Sequence, residues 1–323
     1  MSFRTVAIVS DIHYAGELEQ ARYQDKSRRV TNPLARFGVR LVRDYVWLRH
    51  PTRQNHLLNQ FLNRVPETDL VIANGDFSCD LNSVGLSDDA SLASARLCLD
   101  QLRRRFGNRL HLTIGDHELG KVSMIGGRGG PRLESWRRTT AELDLKPFWR
   151  IEAGRHVLMG ITSTLGAWPV YHDEALPEEA ARWEELRQIH LAEIRAAFAQ
   201  LRPDQRVILF CHDPTALPCL HREPAIRRRL HQIERTIIGH LHSPLLLGVA
   251  RMLSGMPHVT FLGAGVRRLT VALRQAKLWK PFRVALCPSL AGTELLKDGG
   301  FLTLTLSEDR EPPARIQRHE IRR

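Results

Sequence analysis

Paired cysteine is the first thing this chain lacks: Cys79, Cys98, Cys211, Cys219 and Cys287 are scattered over 323 residues with no C-x-x-C pair. An odd, dispersed set suggests neither a disulfide framework nor a thiolate zinc site, and makes a reducing cytoplasm the expected compartment. Long apolar runs are missing too. The longest, residues 245–250 and 259–266, fall well short of the ~20 residues a spanning helix needs, so membrane contact is expected to be peripheral. No basic stretch, apolar core and small-residue cleavage site precedes residues 5–9, so secretion is not expected. Internal repeats and low-complexity tracts are absent. With 43% hydrophobic and 25% charged residues, the chain can bury a substantial core, which excludes disordered and fibrous classes.

Acidic residues are scarce in two places, and those places account for the charge. The formal net charge is +12, yet residues 21–60 hold nine Lys and Arg against Asp25 and Asp44, and residues 266–293 hold six cations and no acid before Thr293. The remainder is close to neutral. Basicity is therefore local, which favours an anionic partner at two patches over a generally polycationic surface.

Short β-rich runs alternate with helical periodicity, the pattern of an α/β fold. Strands are expected at 6–10, 70–74, 110–114, 156–162, 207–211, 236–239, 259–263 and 301–306, and helices at 54–64, 87–106, 131–143 and 177–201. Ser87, ahead of Asp88 and Asp89, is the expected N-cap of the second helix. The Gly-rich segment 124–131 reads as a loop. No clear linker divides the chain, so the expectation is one domain over 1–323 with basic insertions at about 21–60 and 266–293.

Five of the expected strands end in residues suited to metals: Asp11-Ile12-His13, Gly75-Asp76, Gly115-Asp116-His117-Glu118, His212, and Gly239-His240-Leu241-His242. In an open α/β sheet the C-terminal strand ends converge on one crevice, so residues as distant as 11 and 242 can meet. Alternation in extended chain would turn Asp11 and His13 to one side, and likewise His240 and His242. Carboxylates with imidazoles form the ligand set for divalent first-row ions. Oxygen donors favour Mn²⁺ or Mg²⁺, and nitrogen donors extend the range to Zn²⁺, Fe and Ni²⁺. The inventory is large enough for two ions, which suits attack on a phosphate ester.

On these blocks the sequence resembles the calcineurin-like metallophosphoesterase superfamily, whose signature runs D-x-H, G-D, G-N-H-D/E, a lone His, then G-H-x-H. The resemblance spans about residues 5–243. It implies an αββα sandwich of two mixed β-sheets flanked by helices, with a dinuclear site at one edge and Mn²⁺ as the first expectation for its ions. By that resemblance Asp11, His13 and His242 would hold one metal and His212 and His240 the other. Asp76 would bridge both, and His117 would be the general acid. One block departs from the pattern, because Asp116 stands where the family places an asparagine ligand. A third aspartate lowers the cluster's positive charge and its grip on an anionic phosphate, so a compensating cation is expected nearby. Arg128, on the glycine-rich loop, is the candidate substrate-binding residue.

The first basic segment has its own periodicity. Leu34, Phe37, Leu41, Tyr45 and Leu48 recur at helical spacing, with Arg36, Arg40, Arg43 and His50 opposite, in the manner of an interfacial helix lying on anionic lipid. The bland alternative is a helix that packs on the sheet. The second segment mixes Leu269, Leu273, Leu278, Trp279 and Phe282 with its cations, suggesting a lid or membrane-facing insertion. The expectation is a hydrolase cleaving a phosphodiester or pyrophosphate bond, and among family activities the resemblance implies a nucleotide-linked lipid such as UDP-diacylglucosamine. A nuclease or cyclic-nucleotide phosphodiesterase is the alternative, with nucleic acid the less favoured partner, and a non-catalytic binding protein with a degenerate site is the third reading.

Overall fold

The computed structural model describes residues 3–24, 30–123, 127–255, 264–307 and 313–322, the side chains of Phe3 and residues 264–269 excepted. Ten strands form two five-stranded mixed sheets among the described residues. The first sheet contains β1 (Phe3–Val9), β2 (Leu70–Asn74), β3 (Leu110–Thr113), β9 (Gly300–Ser307) and β10 (Arg315–Glu320), ordered β10-β9-β1-β2-β3. The second contains β4 (Phe148–Ala153), β5 (His156–Ile161), β6 (Arg206–Cys211), β7 (Ile233–Ile238) and β8 (Val284–Leu286), in consecutive order. Strands β1, β2 and β3 run parallel, as do β5 through β8; β9, β10 and β4 pair antiparallel at the flanks.

Both faces of the central strands are covered, so these strands are apolar throughout instead of alternating with polar residues. The period-2 pleat still sorts their side chains. Val6, Ile8, Ile72, Leu158, Ile208, Phe210 and Ile237 fill the space between the sheets together with Leu302 and Leu304. Their neighbours Ala7, Val9, Val71, Ala73, Val157, Met159, Val207 and Leu209 pack outward against the helices. The result is the helix-sheet-sheet-helix sandwich that the family resemblance implies.

Helices Asn55–Arg64, Asp89–Phe106 and Ala180–Ala199 form where the periodicity places them. The second starts later than expected, because Asp88, not Ser87, is the cap: its carboxylate accepts the Ser91 N–H at 3.0 Å. The expected helix at 131–143 is shorter, Leu133–Arg137 followed by a wide turn over Arg138–Glu142. Strands β4, β8 and β10 have no counterpart among the expected ones. The first and last are edge strands carrying charge, Phe148-Trp-Arg-Ile-Glu-Ala and Arg315-Ile-Gln-Arg-His-Glu, a composition that masks strand propensity. The expected strand 259–263 lies outside the described residues.

The two basic segments differ in how they pack. Helix Pro33–Leu41 buries none of its residues and continues into the wide π-turn Val42–Trp47. Leu34, Phe37 and Tyr45 are 82%, 62% and 68% exposed, and only Leu48 of the predicted apolar stripe is buried. The alternative of a helix packed on the sheet is thus not what forms. In the second segment, helix Ala264–Gln275 and the turn Ala276–Phe282 bury Leu273, Trp279 and Phe282, while Arg274, Lys277, Lys280 and Arg283 stay at least partly exposed. Leu273, Trp279 and Phe282 thus belong to the packed body, as in an ordinary surface helix. Among the described residues, no helix is long and apolar enough to cross a membrane.

Candidate metal centre

The C-terminal ends of β1, β2, β3, β6 and β7 meet at one edge of the sandwich, and every block singled out above contributes there. The backbone is stitched from turn to turn: the Asp11 N–H donates to the Gly75 carbonyl at 3.2 Å, His13 N–H to the Asp76 carbonyl at 3.0 Å, and Gly239 N–H to the His212 carbonyl at 2.9 Å. The Gly239 turn tolerates no side chain, since a Cβ there would lie 2.1 Å from Ser10 Oγ and 2.5 Å from Asp11 Oδ2. Glycine at that point is a requirement of close approach.

Asp11, His13, Asp76, His240 and His242 all have positive φ, between 50° and 61°. This corrects the route by which i and i+2 come together. The Asp11/His13 and His240/His242 pairs converge through left-handed turns after the strand ends, not through alternation along extended chain. A non-glycine residue held at positive φ costs of order 1–3 kcal/mol and persists where surrounding structure over-determines it. Five such residues at one edge mark the centre.

Side-chain donors fall into two groups joined by an aspartate. Asp11, His13 and His242 form one, with their ligand atoms within 4.8 Å of one another; Asp116, His212 and His240 form the other. Asp76 Oδ2 stands between them, 3.2 Å from His212 Nε2 and 3.9 Å from His13 Nε2. His242 Nε2 lies 3.3 Å from Asp11 Oδ1. His212 Nε2 lies 3.1 Å and His240 Nδ1 3.0 Å from Asp116 Oδ1. All three aspartates are fully buried.

The rings are aimed from behind. His212 Nδ1 meets the Asn74 carbonyl at 2.6 Å, and His13 and His117 share the Ser78 carbonyl through Nδ1 at 3.3 and 3.2 Å. Each contact places the proton on Nδ1 and turns Nε2 inward, the arrangement that orients imidazole ligands. His13 Nε2, His212 Nε2 and Asp76 Oδ2 are buried without a hydrogen bond. These inward-facing polar atoms, facing only one another and the neighbouring carboxylates, form a donor set that divalent cations fit.

Electrostatics agree. Burial opposes charge on His212, yet Asp76 and Asp11 outweigh it and hold the imidazole well above its usual range. His240 is raised against burial by Asp213 and Asp116. Burial and the Asp116 charge act to raise Asp76, but His117 and His212 keep its carboxyl low; Asp11 is raised, chiefly by burial. The carboxylates thus draw protons onto imidazoles where cations would serve. Burial, with His13 and Lys121 adding to it, holds His242 well below the ordinary histidine range.

Glu118 is buried and serves the backbone. Its side chain accepts the N–H groups of Asp76 at 3.0 Å, Phe77 at 2.8 Å and Gly115 at 2.8 Å, tying the β2 and β3 turns together. Burial, with Asp76 adding to it, pushes its carboxyl up to about 8 against those donations. Arg128 is exposed on the hairpin closed by the Val122–Gly129 bridge, its backbone carbonyl accepting Ser123 N–H at 2.8 Å. Among the described residues, the cation that reaches the cluster is Lys121, with Nζ 2.5 Å from Asp116 Oδ2. Sequence reasoning missed it, although a lysine a few residues after a surplus aspartate was the available signal. Trp47, at the end of the exposed segment, sets its ring 4.8 Å from that of His242. Cys211 is buried, and His172 lies out on the surface against Asp173.

Two mixed sheets with a buried carboxylate and imidazole cluster at their C-terminal edge define a dinuclear metallophosphoesterase, a hydrolase of phosphate esters. The chain belongs to the calcineurin-like phosphoesterase family, which matches residues 4–244. Similar solved structures include a dimetal phosphatase from Danio rerio, 15% identical, covering 98% of this chain and 95% of that one with a TM-score of 0.47. A purple acid phosphatase from yellow lupin (Lupinus luteus) is 12% identical, covering 95% and 50% at 0.40, and Vps29 complexed with Zn²⁺ from Entamoeba histolytica is 11% identical, covering 98% of each at 0.31. No curated protein matches the chain.

Proposed function

We propose that the protein is a two-metal phosphodiesterase or pyrophosphatase whose substrate is an anionic amphiphile presented at a lipid surface, a nucleotide-linked lipid being the type. Asp11, His13 and His242 would hold one ion and Asp116, His212 and His240 the other, with Asp76 placed to serve both. Two divalent ions, Mn²⁺ first among them, would supply Lewis acidity toward the phosphoryl oxygens and lower the pKa of water when bound. His117 protonates the leaving oxygen. Its Nδ1 is engaged by Ser78 and its Nε2 lies 3.7 Å from Asp76 Oδ2, on the rim of the cluster. Burial holds the imidazole well below its usual range, and an anionic phosphate beside it acts in the opposite sense, favouring the protonated ring that acid catalysis needs.

The observation that carries the substrate reading is the exposed apolar stripe Leu34, Phe37 and Tyr45, which runs into Trp47 against His242. Just after the same ligand in the chain, Leu245 and Met252 of helix Pro244–Met252 are exposed as well. Apolar surface of this kind beside a site built for phosphate suits acyl chains next to a charged headgroup. Metal-stimulated hydrolysis of bis(p-nitrophenyl) phosphate, together with flotation on vesicles containing anionic lipid, is the expected result. Salt-dependent DNA binding without flotation would favour a nuclease, and bound metal without turnover a binding protein.

A further inference from the structure

The third aspartate of the cluster has a partner that the metal-binding blocks do not include. The short helix Asp116–Leu119 ends at Gly120, whose φ of 94° reverses the chain and whose position admits no Cβ, since that atom would lie 2.5 Å from the Gly130 carbonyl oxygen. The reversal is fixed from both sides: Gly120 N–H donates to the Asp116 carbonyl at 2.9 Å, and Gly130 N–H to the Ser83 carbonyl at 2.8 Å. Lys121, next in the chain, folds back over the helix start, its side chain 23% exposed, and its ammonium sits 2.5 Å from Asp116 Oδ2. The two carboxylate oxygens of Asp116 are thereby divided. Oδ1 faces His212 and His240; Oδ2 faces Lys121.

We propose that Lys121 is a positioning residue for the second metal subsite: it occupies Oδ2 so that Asp116 offers the ion a single oxygen, and it returns the positive charge that a third carboxylate removes, at the face where phosphate binds. The argument is one of valence and geometry. A free carboxylate can chelate an ion through both oxygens, whereas one engaged by an ammonium presents one. Three carboxylates opposite two divalent ions leave little net charge for an anionic substrate, and a partly exposed ammonium at the rim restores it.

This inference rests on the reading of the cluster as a dimetal centre, and the test separates the two. Calorimetric titration of metal-stripped protein with Mn²⁺ gives the affinity of each ion, and inorganic phosphate binding to the loaded protein is measured in parallel. If the natural sequence takes up fewer than two ions, the reading of the centre fails. If it takes up two, Lys121→Met is expected to bind the second ion several-fold more tightly, because a repelling charge is gone and Asp116 is free. The same change is expected to weaken phosphate about tenfold, as loss of a charge-assisted contact does. Asp116→Asn strands the ammonium beside the subsite and weakens the second ion; adding Lys121→Met to it relieves that repulsion but frees no carboxylate oxygen, so its effect on affinity differs from that of Lys121→Met alone. Lys121→Arg, which keeps the charge, retains phosphate binding. Opposite shifts of metal and phosphate affinity support the proposal. A parallel fall in both, no change in either, or an equal effect of Lys121→Met with and without Asp116→Asn overturns it.

Discussion

Single atoms decide whether the centre assembles, and Glu118 shows how. Its two side-chain oxygens accept three backbone N–H groups from the turns that carry Asp76 and Asp116. Glutamine has the same shape but offers one acceptor, so its amide would point N–H at N–H. Above about pH 8, where the Glu118 carboxyl is ionised, we expect Glu118→Gln to cost about 1–3 kcal/mol, the penalty for an unsatisfied buried donor, and to loosen Asp76, read as a lower melting temperature together with weaker Mn²⁺ binding. Gly239→Ala belongs at the same scale. Its Cβ would fall on Ser10 Oγ and Asp11 Oδ2, and metal analysis of the purified variant should find the ion load reduced even where the protein remains folded. At this scale much was legible in advance. Asp11, His13, Asp76, Asp116, His212, His240 and His242 stand out because their blocks each follow an apolar run directly, so local sequence carries the information. The proximity of Lys121 to Asp116 in sequence was a signal, but their pairing is set by the reversal at Gly120 that only the fold supplies, and the left-handed backbone at Asp11, His13, Asp76, His240 and His242 suits residue types that enter that region more readily than most.

Helices and strands were readable where burial is two-sided or strongly periodic, and unreadable where charge dilutes the pattern, as in β10 with Arg315, Arg318 and Glu320 at the sheet edge. The two basic segments make the sharper case. Both are amphipathic in sequence, yet one leaves its apolar residues in solvent and the other inserts Trp279 and Phe282 into the core. Periodicity reports that an apolar face exists; it does not report what covers it. For helix Pro33–Leu41 that distinction yields an experiment. Because Leu34 and Phe37 are exposed, the pair of changes Leu34→Asp and Phe37→Asp should alter folding stability by no more than about 0.5 kcal/mol each. Vesicle binding and hydrolysis of an amphiphilic diester should fall together, while bis(p-nitrophenyl) phosphate hydrolysis stays near its original rate. Equal loss on both substrates would place the helix in the catalytic body and remove the lipid reading.

At the scale of the whole molecule the centre is also the weak point of the fold. The turns that meet there are strained, imidazolium and carboxylate pairs hold them, and the protons do part of what divalent ions would do. The sign of the pH effect follows from the groups involved. His212 and His240 are raised in the folded protein, so without metal the stability they lend is complete below about pH 6.5, the ordinary histidine value, and is lost as pH rises through their folded values. Glu118, pushed up to about 8, acts in the same direction, since its buried charge appears as pH approaches that value. His117 and His242, held low by burial, change charge only on the acid side of the ordinary value and do not oppose this trend above it. Metal binding has the reverse dependence, because the same two imidazoles must shed protons to become ligands. The melting temperature of EDTA-treated protein should therefore fall between about pH 6.5 and 8 while that of Mn²⁺-loaded protein holds or rises, so that the gap between them widens with pH. Proton release on Mn²⁺ binding, measured by titration in buffers of different ionisation enthalpy, should be positive at the acid end of this range and shrink toward its alkaline end. A gap that stays constant across the range would mean that ions do not replace protons on His212 and His240, and the second subsite would have to be sought elsewhere.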